Sequence, residues 1–480
     1  MEIAGLSFGS GATPAQIAEL ADRLLTNDRK PLEFLQAQQS FLTERSSVLG
    51  TLRTKLISLK GVLDDLLSPG TLSPFSSRTA TSSDTSILTA AATSSATPGA
   101  HSLVVTQLAQ RSQFASDVFT DTDSTIATKD RTDDFRLTID GTDFDLQITR
   151  VKDETDLSVL TKVADAINAG TNGEATALVV TTETGKSRIS LTSTETGTAN
   201  NITLSDISGG KILQDTGLDR PGAATDTQGG FIVKDQGGNE LDAKFSFNGL
   251  NLIRESNTIS DVVPGLTIDL KSADAAQTVT VNVDPAADSI LDKIKDFVTK
   301  FNEVVDFLNE NSKIDTEGGN HGILFLDPVF SGLGSQLRLE ATTLVNSAAS
   351  GDPNSLAALG IRQGADGKLS ISDESDLKAL IESDPTAVAT VFNATTDGVA
   401  TKLDDFVDDF TGAAGHIGVT QNQLSIRIQG LDRQISRQEE ILELKKVRLQ
   451  TQLARDQQVI IALTQQLNQV KRFFGAFTGT

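Results

Sequence analysis

Residues 32–67 read LEFLQAQQSFLTERSSVLGTLRTKLISLKGVLDDLL, and leucine returns in this segment every seven residues. The leucines of the first row are Leu35, Leu42, Leu49, Leu56 and Leu63, and Leu52, Leu59 and Leu66 form a second row. A seven-residue apolar repeat is typical of a helix that packs along its length on another helix. We therefore expect a coiled-coil-forming helix within residues 32–70, ended by Ser68-Pro69-Gly70.

The C-terminal end of the chain repeats this pattern. Its seven-residue row is Ile428, Ile435, Leu442 and Leu449, with Leu424 and Leu431 beside it. The pattern predicts a helix over 419–474, roughly 80 Å long at the usual helical rise. A short amphipathic helix is weak alone, so the two ends most simply pack on each other and the middle forms a head. We expect residues 32–67 to pack within the chain against Ile290–Leu308, and residues 419–474 to find partners in other chains as well.

The N-terminal residues predict a short helix after a flexible start. Residues 1–12 are rich in glycine and serine, and we expect them to be disordered in the free protein. Thr13 is placed as an N-cap, Pro14 as the first helical residue and Gln16 as the capping-box partner. Pro31 is expected to break or kink the chain before the leucine repeat.

The middle of the chain, from about 71 to 285, has a sequence pattern typical of β-strands. Apolar residues alternate on both sides of Asp140-Gly141 and again on both sides of Asn248-Gly249. An Asp-Gly or Asn-Gly pair between alternating segments predicts a hairpin with a tight turn. Further strands are expected around Ile268–Leu270 and Val279–Val283, and one helix around 160–170.

We predict a multidomain α+β fold, in which the terminal helices form a leg and antiparallel β domains form a head. The leg and body consist of a flexible N-terminus with a short helix (1–31), the leucine-repeat helix (32–70), a helical body (286–415) and the C-terminal leg (416–480). The head consists of an inner β domain (71–130 with 235–285) and an outer β domain (131–234).

Composition excludes several classes of function. The chain has 480 residues, 64 acidic against 41 basic side chains and a net charge of −23, which argues against binding to nucleic acid or anionic lipid. It has no cysteine, so disulfides and thiolate metal sites are excluded. The start MEIAGLSFGSGA lacks the basic and apolar regions of a Sec signal, and no apolar run of about eighteen residues predicts a membrane span. We expect any export to use another route.

No catalytic or metal motif is complete. His101, His321 and His416 have no ligand-spaced neighbours, and solvated loop histidines are the commoner case. The segment Ser208–Lys211 fails the phosphate-loop pattern, because its upstream glycine is missing and Ile212 replaces the required serine or threonine. Asp117, Asp121 and Asp123 lack calcium-loop spacing and are interpreted as a solvated acidic loop. We expect no catalytic residue, no cofactor and no metal.

Several segments, in order along nearly the whole chain, match one family. These segments are Phe8-Gly9-Ser10-Gly11, Arg29-Lys30-Pro31, Ser82-Ser83-Asp84, Ile87-Leu88-Thr89, Leu103–Ala109, Arg254-Glu255-Ser256-Asn257-Thr258-Ile259, Gly265-Leu266-Thr267, Leu270-Lys271, Phe297-Val298, Phe301-Asn302 and Leu359-Gly360-Ile361. Together with the closing coiled coil they resemble the flagellar filament cap proteins, the hook-associated protein 2 family. The strongest of these signatures is Arg254–Ile259.

The resemblance implies a structural function. Such a cap forms a ring at the tip of the growing flagellum, in which the head is a lid and the helical legs contact the last flagellin subunits. Flagellin is retained under the lid and polymerises there. The resemblance also implies type III export of the chain through the flagellum, an export chaperone before secretion, and a homo-oligomeric ring, for which we expect five chains.

Two other classes remain open. One is another rod or junction protein of the flagellum, and the other is a surface adhesin whose β head binds a host ligand. For the cap, we expect the leg-packing residues to come from both ends of the chain. They are Leu35, Leu42, Leu49, Leu56, Leu63, Leu424, Ile428, Leu431, Ile435, Leu442 and Leu449. The stripe and tail residues that we expect to contact the filament are Ile17, Leu20, Leu24, Ile460, Leu463, Leu467, Phe473 and Phe474.

Overall fold

The structure is a computed structural model that describes residues 2–3, 6–7, 13–313, 321–325 and 327–475. Side chains are described for 13–313, 321–325 and 327–472. The chain separates into two compact units, Met1–Ser68 with Leu291–Thr480 and Pro69–Ile290. We call them the helical unit and the β unit. The first joins both ends of the chain and the second is a continuous segment, which confirms the α+β division into helical ends and a β-rich middle.

The α-helices of the described residues are α1 (Pro14–Leu24), α2 (Thr26–Leu67), α3 (Asp156–Gly170), α4 (Ile212–Thr216), α5 (Ala287–Asn311), α6 (Leu333–Thr342), α7 (Glu374–Ser383), α8 (Pro385–Asn393), α9 (Val399–Thr411) and α10 (His416–Gly475). Short 3-10 helices lie at Gly70–Leu72, Pro74–Ser76, Thr198–Asn200 and Ala357–Leu359.

The strands of the described residues are β1 (Glu2–Ile3), β2 (Leu6–Ser7), β3 (Arg78–Ser82), β4 (Leu88–Ala92), β5 (Gly99–Gln107), β6 (Gln113–Ala115), β7 (Phe119–Thr120), β8 (Arg131–Ile139), β9 (Thr142–Arg150), β10 (Ala175–Glu183), β11 (Lys186–Ser193), β12 (Thr203–Ile207), β13 (Gly230–Val233), β14 (Ala243–Phe247), β15 (Leu250–Arg254), β16 (Thr258–Ile259), β17 (Leu266–Leu270), β18 (Asp274–Pro285), β19 (Ile361–Gln363) and β20 (Leu369–Ile371).

In the helical unit, α2 is the central element. It packs antiparallel to α10, because Gln421 Nε2 donates to the Ser46 carbonyl at 3.2 Å, whereas farther toward the start of α2 Gln36 contacts Glu439 at 3.4 Å. α2 is antiparallel to α5 as well. Asp65 near the end of α2 pairs with Lys293 near the start of α5 (2.7 Å), whereas Lys55, earlier in α2, pairs with Glu303, later in α5 (3.7 Å). The predicted packing of the two chain ends on each other is confirmed.

The residues of the apolar stripe of α5 recur at intervals of four and three, which is typical of one buried helix face, and the structure buries all of them. They are Ile290, Ile294, Phe297, Phe301, Val304 and Leu308. The Phe297 ring lies 6.0 Å from the ring of Phe301 and meets Phe392 of α8 edge-on at 5.8 Å. These aromatic contacts tie α5 to the short helices of the body. The apolar core of the helical unit therefore includes α5 and α8 in addition to the leucines of α2.

The start of α1 follows the sequence closely, whereas the start of α2 does not. The Thr13 hydroxyl accepts from the Gln16 amide and the Gln16 side chain accepts from the Thr13 amide, which confirms the capping box. Of the predicted break or kink at Pro31, the break is wrong, because the chain turns at Leu25 and α2 continues through Pro31. The kink stays a prediction. A proline this near the helix start forgoes one main-chain hydrogen bond, and the packing of the following leucines outweighs that loss.

Segment 1–12 holds one short ladder, in which Glu2–Ile3 pairs with Leu6–Ser7. The expectation of a disordered start therefore does not hold for these four residues. The remaining residues of the segment, among them the Phe8–Gly11 part of the resemblance, lie outside the described residues.

The inner core of the β unit is formed by two antiparallel sheets. One has the order β15-β14-β5-β18-β3 and the other β16-β17-β4. The predicted hairpin at Asn248-Gly249 is confirmed, with Phe247 opposite Leu250 and both turn residues at positive φ (49° and 82°). Positive φ at both positions is the geometry that an Asn-Gly turn favours.

The outer core combines two further sheets with α3. Their orders are β10-β11-β6-β13, with β7 on β11, and β12-β8-β9. The predicted hairpin at Asp140-Gly141 joins β8 to β9 in register from Ile139–Thr142 to Arg131–Arg150. α3 buries its apolar face against these strands through Leu160, Val163 and Ile167, which confirms the predicted helix.

The boundary between the two β cores lies near residue 110. Ala109 belongs to the inner core, whereas Phe114, Ile126 and Ala127 pack in the outer one. Residues 110–130 were expected in the inner domain, and that part of the assignment is wrong. β6 is only three residues long, and its pairing with β11 and β13 joins it to strands far away in sequence, so no local periodicity marks it. The division into inner and outer domains itself stays a prediction.

Candidate assembly surfaces

The two seven-residue rows differ in how deeply they are buried. Leu49, Leu56 and Leu63 are fully buried in α2, Leu42 is buried, and Leu35 near the start of the helix is half-buried. On α10 the buried positions are Leu424, Leu431, Ile435 and Leu442, whereas Ile428 and Leu449 are half-buried. The leg is therefore a bundle within one chain at its base and is progressively less covered toward its end.

Ion pairs fix the register between α10 and the first two helices. Lys446 lies 3.1 Å from Asp22 of α1, Lys445 lies 3.0 Å from Asp28 of α2, and Arg29 also contacts Asp22 at 2.6 Å. All of these side chains are substantially exposed, so each pair contributes at most about 1 kcal/mol. Their arrangement, with acids on one side and lysines on the other, favours one alignment of the helices over a slipped one.

Deeper in the bundle, Lys60 of α2 faces three carboxylates. Burial opposes its charge, but a hydrogen bond with Asp404 and the charges of Asp404, Asp64 and Asp408 outweigh burial and raise the pKa of Lys60 above its usual value. The lysine therefore stays charged at neutral pH. It links α2 to α9, the acidic helix of the body.

Of the three residues of α1 that were predicted to contact the filament, two are buried and one is exposed. Ile17 and Leu20 are buried where α1 packs on α10, and Leu20 has no exposed surface. They are core residues of a single chain, so their assignment as contact residues is not supported. The sequence stripe looked uncovered because its cover, α10, lies more than 400 residues away. Leu24, on the same helix, is 44% exposed and remains a candidate.

The far end of α10 carries an exposed apolar stripe, which we call the tail stripe. It consists of Val459, Leu463, Leu467 and Val470, each between 51% and 58% exposed. Their spacing of four, four and three residues puts them on one face of the helix. Ile460 beside them is half-buried, and the side chains of Phe473 and Phe474 lie outside the described residues. Val459 and Val470 were missed by the sequence analysis, although the same periodicity could have found them.

Two exposed aromatic residues on α2 were also missed. Phe34 and Phe41 are 68% and 50% exposed. They are seven residues apart and are followed at the same spacing by half-buried Val48. The row lies beside the leucine row in the sequence, so a search for a second repeat could have found it. An apolar row of this kind on the surface of a leg is a candidate contact for another copy of the chain.

The three histidines and Asp117 lie against structural partners. Each of the three histidine rings lies against a phenylalanine ring. The distances between the ring centroids are 5.0 Å for His101, 4.6 Å for His321 and 5.3 Å for His416. Asp117 binds Arg220 and the Gly229 amide. Within the described residues, no group of three or more histidines and carboxylates is arranged to hold a metal ion. None of the described helices combines the length and apolarity that crossing a membrane requires.

The chain is similar to known proteins over most of its length. The B-type flagellar hook-associated protein 2 of Pseudomonas aeruginosa is 28% identical over 446 residues, which cover 90% of this chain and 89% of that protein. The flagellar hook-associated protein 2 of Escherichia coli K12 is 26% identical over 458 residues, covering 86% of this chain and 91% of that protein.

A solved structure shares the fold. The D1, D2 and D3 domains of the flagellar cap protein FliD from Escherichia coli superpose with a TM-score of 0.56 over 79% of this chain and 99% of that chain, at 23% identity. Models described as flagellar hook-associated protein 2 N-terminus and C-terminus match residues 14–112 and 241–465. The stretch between them is the outer β core. Since the two models together match more than half of the chain, the chain belongs to the flagellar hook-associated protein 2 family.

Proposed function

We propose that this chain is the structural cap at the distal tip of a flagellar filament, where it retains exported flagellin and promotes its polymerisation. The observation that carries the proposal is the match to both ends of the flagellar hook-associated protein 2 family, on a fold shared with a flagellar cap protein. The work is mechanical: the legs hold the cap on the filament and the β unit closes the channel. No step of it forms or breaks a covalent bond.

The tail stripe is the part of the leg that docks on the filament. Its four apolar side chains lie on one helix face, and the described part of the chain leaves more than half of each exposed. An apolar face of this length in water is stabilised by a partner with a matching apolar face. Flagellin is that partner at the tip. Before export, an export chaperone covers the same stripe.

Several chains form the cap as a closed ring, and we expect five. Half-buried Ile428 and Leu449 and exposed Phe34 and Phe41 supply apolar surface on the legs for contacts between neighbours. The flagellar type III pathway exports the chain. These features favour the cap over an adhesin, because filament docking and ring contacts both need apolar surface on the legs, whereas the adhesin alternative acts through the β head.

The docking role is tested with paired variants in the tail. Leu463→Asp with Leu467→Asp places two charges on the tail stripe, and we expect cells carrying it to swim poorly and to release flagellin monomer into the medium. The matched control is Gln465→Asp with Gln469→Asp, which adds the same charge at the same spacing to exposed polar positions of the same helix turns. This control should grow filaments of normal number and length.

Equal flagellin release by the two variants would contradict docking through the stripe. Deletion of the gene, complemented by the unchanged chain, tests the cap function itself. Filaments of normal length in the deletion strain would rule out the cap and favour one of the alternatives.

A further inference from the structure

The outer β core is inserted into the inner one and is joined to it by two chain crossings, residues 110–112 and 234–242. Two crossings by themselves leave a domain free to swing about the line that joins them. The β unit has a third connection that involves no covalent bond. It is made by the loop of residues 194–200 in the outer core, which we call the clasp loop.

The clasp loop contacts both crossings and the inner core. The Gly197 amide donates to the Gln110 carbonyl at 3.0 Å, on the first crossing. The Thr198 amide donates to Asp242 Oδ1 at 2.6 Å, on the second crossing, where the Asp242 side chain is buried. The Thr196 hydroxyl donates to the Glu255 carbonyl at 2.6 Å, after β15 of the inner core. A third point of contact off the axis opposes the swing that two crossings permit.

The packing at Gly197 leaves no room for a side chain. A Cβ at this position would lie 2.4 Å from the Glu255 Cβ and 2.7 Å from its Cα, so main chain and not a mobile tip blocks it. Gly197 also has a φ of +99°, which side-chain-bearing residues rarely adopt. Glycine is therefore required twice here, for the main-chain conformation and for the close approach.

The Arg254–Ile259 signature supplies the inner half of this junction. The Asn257 side chain binds both main-chain groups of Ala109: its Oδ1 accepts at 2.8 Å and its Nδ2 donates at 2.9 Å. Ala109 directly precedes the first crossing. The Asn257 carbonyl accepts from Leu270 of β17 at 2.8 Å, which anchors the asparagine to the inner sheet. The signature thus holds the crossing where the clasp loop binds it.

We propose that the clasp loop and the turn Glu255–Asn257 lock the two β cores into one rigid body. The lock consists of contacts within one chain, so it can be measured in the purified protein without a filament. Its use rests on the proposed function, because a lid that twisted about two strands would open under the push of incoming flagellin. The residues of the turn are positioning residues, and they act by holding the outer core still.

The test measures distances within the full-length chain. Because the protein has no cysteine, Asp165→Cys on α3 and Asn282→Cys on β18 introduce two unique spin-label sites, both exposed and one in each core. Pulsed electron spin resonance on labelled chains, diluted with unlabelled chains to remove distances between copies, reports the spread of core-to-core distances. We expect a narrow distribution for the otherwise unchanged chain.

Two variants loosen the lock and one controls for strain. Gly197→Ala adds a Cβ that would collide with Glu255. Thr196→Val removes the hydrogen bond to the Glu255 carbonyl and keeps a side chain of nearly the same shape. Both variants should broaden the distribution of core-to-core distances. Gly209→Ala is the control, because Gly209, in the turn after β12, has a similar φ of +83° but nothing within 4 Å of its Cβ position. It should leave the distribution narrow. If Gly197→Ala and Thr196→Val stay as narrow as the control, the lock is disproved, whatever the chain does at the filament.

Discussion

Neighbouring residues of α2 contribute very differently to stability, because the helix has one covered face. Leu56 is fully buried among the helices of the bundle, whereas Ile57, the next residue, is 47% exposed. Both are large and apolar, so composition does not distinguish them. Their positions relative to the seven-residue row do distinguish them, because Leu56 belongs to the row and Ile57 does not. Burial along α2 is therefore the property that the sequence predicts best.

Substitution of this pair by alanine separates core from surface. Leu56→Ala should lower the free energy of unfolding of the helical unit by about 2–5 kcal/mol, because a cavity replaces a buried side chain. Ile57→Ala should change it by no more than about 0.5 kcal/mol, as for most surface changes. Urea unfolding followed by circular dichroism, at a concentration where the chain is monomeric, measures both. Equal losses would mean that the assigned face of α2 is wrong.

A second residue-scale prediction concerns acid. The hydrogen bond with Asp235, and then the amides of Gln236 and Gly238, lower the pKa of Glu240 from 4.5 to about 2. The group is fully exposed, so the expected effect is local and lies in the second chain crossing. A lowered pKa means that the contacts of the two amides with the ionised Glu240 carboxylate are complete above pH 4.5 and are lost as the pH falls through about 2.

Amide resonances follow this loop directly. The Gln236 and Gly238 amides bind Glu240 Oε2 at 3.1 and 2.9 Å, and their chemical shifts should titrate together between pH 4.5 and 2. In a Glu240→Gln variant that titration should disappear. Shifts that persist unchanged in this variant would assign the transition to another carboxyl.

Elements with a local signal could be predicted from the sequence, and elements held by distant partners could not. Both hairpins carry their turn in two residues, Asp140-Gly141 and Asn248-Gly249, and α1 carries its cap in Thr13 and Gln16. The burial of Ile17 and Leu20 depends on α10, and the place of β6 depends on β11 and β13. No window of sequence around those residues contains the partner that decides their environment.

The β unit should fold when it is separated from the helices. It is one continuous segment, Pro69–Ile290, with its own two hydrophobic cores. A fragment of residues 69–290 should give a circular dichroism spectrum dominated by β-structure and a cooperative thermal transition. A strongly helical spectrum, or no transition, would show that the helical unit is needed to build the cores.

The whole molecule is strongly acidic, and this governs how copies meet. Each chain carries a net charge of −23, so any ring brings like charges together. The contacts that hold it must therefore be apolar or locally complementary, as the exposed residues of the legs suggest. Salt weakens repulsion between exposed charges over distances longer than about 10 Å at 0.1 M.

Association should therefore strengthen with salt. Light scattering of the purified chain at a fixed concentration should show a rise in mass as sodium chloride increases from about 0.02 to 0.3 M, since the screening length shortens over this range. A fall in mass would indicate that opposite charges carry the contact. A single-chain mass at every salt concentration would count against the ring.

The proposed cap function requires that the chain occupy the distal tip of the filament. It is tested most directly by marking the chain on intact flagella. A chain with Asp165→Cys, the only cysteine it then contains, is labelled with gold on living cells and viewed by electron microscopy. We expect one gold cluster at the far end of each filament. Gold at the base of the filament, along its shaft or only on the cell surface would contradict it.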